Sequence, residues 1–215
     1  MTDSDVESEL DLDAVFAARW ANPDLFPAAE LARAEEFYQQ RRQHDTALLA
    51  VRQKAAALIR TWTGHDARDV GSFGLRLNLE TSDLDLGIGY PVEQRARLIA
   101  ALDGHAVFKG ERVTRFPAAE RPEGANTTTT RLVFAFTVDG VDVDLSALTV
   151  EDFAVACRML DDIEAAMTER ERIAHAWVKH LLRSAGRMDE YAEWKLVTYA
   201  RFCPEFNWVP IPEPV

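Results

Sequence analysis

Apolar and polar positions change period several times along this 215-residue chain, and the changes mark its elements. Residues 14–63 read as helix in two or three pieces, broken near Asn22-Pro23 and Pro27. In the last piece Leu48, Val51, Ala55, Leu58, Ile59 and Trp62 recur at helical spacing before Gly64 stops it. Ala67–Val70 is a short strand leading into Gly71-Ser72, and Phe73–Leu77 opens a short helix. After a spacer of ten residues beyond Ser72 an apolar run begins, Asp83–Gly89, bounded by Tyr90-Pro91, which reads as a strand. A helix over Val92–Leu102 ends at Gly104, and His105–Phe116 is a strand. After the polar loop Pro117–Asn126, Thr127–Val138 and Val141–Leu148 form a hairpin turned at Asp139-Gly140. From Thr149 the period becomes helical: 149–166, 168–184 ending near Gly186, and 188–202 stopped by Pro204. The pattern is α+β. An acidic tail over 1–13 precedes a catalytic domain over 14–148, a helical domain over 149–203 and a Pro-rich tail over 204–215.

The acidic positions carry the chemistry. Asp83 and Asp85 flank Leu84, so both carboxylates project from one side of a strand and Leu84 and Leu86 from the other. The same spacing recurs at Asp142 and Asp144, where the hairpin brings a third carboxylate beside the first pair. Close like charges repel, and one would ordinarily hold its proton. A divalent cation removes the conflict, and hard oxygen ligands suit Mg²⁺, with Mn²⁺ as a substitute. Three carboxylates on adjacent strands make a two-ion site for in-line phosphoryl transfer, so Asp83, Asp85 and Asp144 are the expected metal-binding and catalytic residues. Asp142 faces the same way as Asp144 and is the alternative third ligand, unless it supports that ligand or lies exposed near the turn. Ser72 precedes the short helix, where a hydroxyl caps the helix or, with free amides, holds a phosphate.

Val70-Gly71-Ser72, Ser82-Asp83-Leu84-Asp85-Leu86 and Val143-Asp144-Leu145 together resemble the signature of the DNA polymerase β-type nucleotidyltransferase superfamily. The run from Gly71 to Leu86 is most similar to its terminal nucleotidyl- and poly(A)-polymerase branch, and the resemblance covers roughly residues 47–148. It implies a mixed β-sheet flanked by helices and followed by a helical segment. It also implies transfer of NMP from an NTP to an acceptor hydroxyl, with release of pyrophosphate and two Mg²⁺ ions. In its terms Gly71, Ser72 and Ser82 lie on the nucleotide side, with Ser72 contacting the triphosphate. Arg76 stands where the branch usually has Gly, and either contacts the phosphates or narrows the pocket. Lys179 falls at about the place of a triphosphate-binding Lys, with Arg183 one turn on, and Tyr191 resembles a Tyr that stacks on the incoming base. The residues themselves leave two readings. Arg172, His175, Lys179 and Arg183 form a basic stripe that is either a solvated face or a phosphate contact, and Tyr191 beside Trp194 and Leu196 is equally a core residue.

Charge bears on the acceptor. The net charge is −12, and half of it lies in residues 1–13, which hold six acids and no base and too few apolar positions to fold alone. An acidic chain repels phosphate backbones at long range, which argues for a small-molecule or protein acceptor over an RNA 3′ end, with no DNA partner expected. A non-catalytic nucleotide-binding or antitoxin-like module would have no reason to retain three close carboxylates. Cys157 and Cys203 show no metal-ligand spacing, and no apolar stretch reaches membrane-spanning length, so the expectation is a cytoplasmic protein without a membrane partner.

Overall fold

The computed structural model describes residues 26–77, 84–115 and 128–187. The sequence expectations for residues 1–25, the loop 117–126, the helix 188–202 and the Pro-rich stretch 204–215 lie outside them, as do Ser82, Asp83 and Tyr191. The described residues form, in order, helix α1 (Ala28–Thr63), strand β1 (Arg68–Asp69), the one-turn helix α2 (Gly71–Gly74) and strand β2 (Leu84–Tyr90). A 3₁₀ turn (Val92–Gln94) leads into α3 (Arg95–Leu102), followed by β3 (Val107–Arg115), β4 (Thr128–Val138), β5 (Val141–Thr149), α4 (Val150–Ala166) and α5 (Glu169–Ser184).

The strands form one mixed sheet in the order β1-β2-β5-β4-β3. β2 and β5 run parallel, and the other neighbours are antiparallel. The fold is α+β, a mixed sheet with helices and a helical C-terminal part. β4 and β5 join through Asp139-Gly140, both at positive φ (51° and 81°), the two-residue turn whose twist matches that of the strands. Strand alternation then sorts the side chains. Leu84, Leu86 and Ile88 of β2, Leu132 and Phe134 of β4, and Val143, Leu145 and Ala147 of β5 point to one face. That face closes on Ala55 and Ile59 of α1 and on Leu98 and Leu102 of α3, forming the main core. On the other face Phe153 of α4 lies so close over β2 that a Cβ at Gly87 would sit 2.8 Å from its ring.

α1 is the last helical piece read from the sequence, and Pro27, where a break was expected, is its N-cap. From Ala28 it runs unbroken for 36 residues to an αL cap at Gly64, whose N–H donates to Arg60 O. Its two halves serve two cores, which is why no single apolar stripe marks it as one helix. Ala55 and Ile59 sit under the sheet, whereas Ala34 and Tyr38 pack against Ile173 and Ala176 of α5. Phe37 stacks on His180 at 4.4 Å, and burial holds that imidazole below its usual range. None of the described helices is long and apolar enough to cross a membrane.

α5 opens with a reciprocal cap: Thr168 Oγ1 accepts from Glu171 N–H, and Glu171 Oε2 accepts from Thr168 N–H at 2.8 Å. Four residues on, the buried Arg172 ties three segments together. Its guanidinium donates to Leu75 O (3.0 Å), Glu164 O (2.5 Å) and Met167 O (3.2 Å). Replacing Arg172 with Met leaves those carbonyls without a charged donor, at a cost of roughly 1–3 kcal/mol for each that stays dry. Arg172→Met is therefore expected to destabilise the chain by about 3 kcal/mol or more in urea unfolding. Arg172→Lys should recover only part of the loss, because an ammonium lacks the planar fork that spans three acceptors.

Candidate active site

The parallel register of β2 and β5 sets Asp85 directly beside Asp144. Neighbouring strands lie about 4.8 Å apart, so two carboxylates are presented side by side from the face opposite the main core. Asp142 is exposed at the hairpin end, where its Oδ1 accepts from Thr137 Oγ1 at 3.1 Å. Of the two candidates on β5, Asp144 is the one opposite Asp85.

The turn after β1 lies against this pair. Val70 N–H donates to Asp85 O at 3.1 Å, pinning the turn to β2. Gly71 takes φ +61°, and a Cβ there would stand 2.6 Å from Asp85 Oδ2, so only glycine lets the backbone rest on that carboxylate. The short helix begins at Gly71, with Val70 as its N-cap, earlier than the expected Phe73 start. Ser72 is thus inside the turn rather than before it, and buried. The shift has a local cause: Gly74 N–H and Leu77 N–H close the turn onto Val70 O (3.2 Å) and Ser72 O (2.7 Å).

The basic stripe of α5 divides. Arg172, His175 and Lys179 are buried, and Lys179 Nζ donates to Leu77 O at 3.2 Å, whereas Arg183 is exposed one turn later. Arg172 and Lys179 both reach the backbone of the Gly71–Leu77 segment. Arg76 adopts φ +60°, uncommon for a residue with a side chain, and its guanidinium lies 3.5 Å from Glu164. It lines a cavity of about 300 Å³ with Arg42, Asp45, Leu49 and Phe73.

One residue on the carboxylates' face was not singled out from the sequence. Arg131 of β4 shares their face, since Ala135 lies opposite Asp144 and four residues along a strand return to the same side. Its Nη1 donates to Ser146 Oγ at 3.4 Å, while its Nε is buried with no hydrogen-bond partner among the described residues. Burial pulls this guanidinium below its ordinary range and Arg112 adds to the effect, while Asp85 and Asp144 oppose it. The signal was present in Thr130-Arg131-Leu132-Val133-Phe134, where Arg131 has the phase of the face away from the core.

The donor set suits a hard divalent cation. Two adjacent carboxylates supply anionic oxygens whose mutual repulsion a cation relieves. Among the described residues no group of three His, Cys, Asp or Glu side chains is placed to hold a metal ion, and Asp83 lies outside them.

The chain matches no protein-family model and no curated protein. Among solved structures it aligns with the polymerase core of TRAMP, an RNA surveillance complex, at 16% identity over 70% of this chain and 48% of that one, TM-score 0.39. A cytoplasmic RNA terminal U-transferase aligns at 14% identity over 73% and 46%, TM-score 0.43. The GLD-2/RNP-8 complex aligns at 15% identity over 62% and 44%, TM-score 0.34. The chain thus spans less than half the length of each of these structures.

The contact between Gly71 and Asp85 is open to a direct test. Gly71→Ala is expected to cost about 1–3 kcal/mol in urea unfolding, combining strain at positive φ with the overlap on Asp85. Adding Asp85→Ala should recover the overlap but not the backbone strain, giving a coupling between the two substitutions of about 0.5 kcal/mol or more.

Proposed function

We propose that this chain is a divalent-cation-dependent nucleotidyltransferase that moves NMP from an NTP to an acceptor hydroxyl. The observation that carries this reading is the pairing of Asp85 with Asp144 across parallel strands, with the Gly71 backbone resting on Asp85. Asp85 and Asp144 would hold the cations, together with Asp83, which the sequence sets two residues before Asp85. When bound, such ions neutralise the triphosphate and make an acceptor hydroxyl easier to ionise.

The protein's own contribution is placement. The Gly71-Ser72 turn is the binding surface for the triphosphate, with Ser72 and free backbone amides as its donors. Arg172 and Lys179 keep that turn in place through the carbonyls of Leu75 and Leu77. Ser82, Arg183 and Tyr191 are assigned to the nucleotide side by the motif pattern. The acceptor oxygen attacks the α-phosphorus and the bond to the β-phosphate bridging oxygen breaks, so pyrophosphate departs. An Asp144 carboxylate oxygen takes the hydroxyl proton. Little covalent chemistry is required of the protein, and its rate enhancement comes from positioning and charge complementarity.

The test is incubation with each labelled NTP and Mg²⁺ against separate RNA, metabolite and protein fractions. Asp85→Asn and Asp144→Asn are each expected to lower labelling by at least ~10³-fold while keeping the wild-type circular dichroism spectrum. Near wild-type labelling by either variant would exclude this reading.

A further inference from the structure

The sheet order gives the two carboxylates different surroundings on their two sides. Beyond Asp85 lie β1 and the Gly71–Gly74 turn, and beyond Asp144 lie β4 and then β3. In-line displacement keeps the attacking and leaving oxygens on opposite sides of the phosphorus. With the triphosphate on the turn, the acceptor hydroxyl approaches from the β4 side.

That side presents two arginines. Arg131 and Arg112 are register partners across β4 and β3, so their side chains share the face that carries Asp85 and Asp144. A guanidinium has five N–H donors, and among the described residues Arg131 makes a single long hydrogen bond, to Ser146 Oγ at 3.4 Å. Its Nε is buried without a partner among the described residues, an arrangement that costs free energy unless something completes it. Arg112 beside it is exposed and adds repulsion between like charges. An anion held between the two removes the repulsion and engages the unused donors, and a phosphate matches the planar fork of a guanidinium.

We propose that Arg131, with Arg112 beside it, is the acceptor-side anion contact, selecting acceptors that carry a phosphate ester near the reacting hydroxyl. This rests on the transferase reading for the side from which the acceptor enters. The net charge of −12 does not oppose it, because fields from distant charges are screened beyond about 8–10 Å whereas these arginines act at contact. The phosphate can belong to the last nucleotides of an RNA or to a phosphorylated small molecule, and the two sources are separable by experiment.

The measurement is equilibrium binding of adenosine, adenosine 5′-monophosphate and a labelled oligoadenylate to the full chain, without NTP or turnover. Wild type should bind both phosphate-bearing probes at least tenfold more tightly than adenosine. The oligonucleotide should gain further over the monophosphate if RNA is the source, and gain nothing if the source is small. Arg131→Met should weaken phosphate-probe binding by tenfold or more and reduce the salt slope of oligoadenylate binding by about 0.7. Adenosine binding should stay unchanged, and Arg131→Lys should retain part of the affinity. Arg112→Gln, at an exposed position, should act in the same direction by about threefold, and it decides the matter if Arg131→Met does not fold. Wild-type binding of the phosphate probes by Arg112→Gln or by folded Arg131→Met, or equal losses for adenosine, would overturn the proposal. Arginine-dependent phosphate binding in a chain that labels no acceptor would instead sink the transferase reading and leave this site standing.

Discussion

Parallel pairing of β2 with β5 is the constraint on which the rest of the site depends. A parallel pair cannot be closed by a hairpin, so the chain must leave β2, build α3, β3 and β4, and return. That path places β5 in the middle of the sheet, between β2 and β4, and sets Asp85 against Asp144. Two carboxylates held at strand spacing are unfavourable in isolation. The arrangement persists because Leu84, Leu86, Val143 and Leu145 on the opposite face are buried, and a one-residue slip would exchange the two faces. Hydrophobic burial thus enforces an electrostatic conflict, the condition a cation-binding site requires.

The turn beside the pair is held from two directions. From β2 it is held by Val70 N–H on Asp85 O, and from α5 by Arg172 and Lys179 on the carbonyls of Leu75 and Leu77. Neither cation is a solvated surface charge, since both are about nineteen-twentieths buried. Their burial is tolerated because carbonyl oxygens satisfy them, and in return they fix a segment with little regular structure of its own. α1 extends the same linkage, with one half under the sheet and the other against α5, so the sheet and the helical part share a common support.

Viewed along the sheet, the site has a direction. A buried backbone turn lies to one side of the carboxylates and a pair of arginines to the other, with Phe153 covering β2 next to Asp85. Charge changes sign across this face, from the two aspartates on β2 and β5 to the two arginines on β4 and β3, which lie four residues farther along their strands. Local complementarity of this kind coexists with an acidic chain because contact distances are shorter than the screening length.

Much of this was legible in the residue pattern. Alternation in Leu84-Asp85-Leu86 and Val143-Asp144-Leu145 showed which side chains share a face, and Asp139-Gly140 marked the hairpin that joins β4 to β5. These are local properties, governed by the period of a strand and the φ a turn demands. The α1 stripe from Val51 to Trp62 was legible as well, whereas the N-terminal half of the helix, which buries Ala34 and Tyr38 against α5, was not. The partner of Asp85, the pressure of Gly71 on its carboxylate, and the fate of Arg172 and Lys179 were not local. A basic stripe on a helix looks the same in sequence whether water or a carbonyl meets it. Arg131 is the sharpest case: its phase along β4 could be counted, but only the sheet order, set by long-range packing, put it on the face that carries the acids.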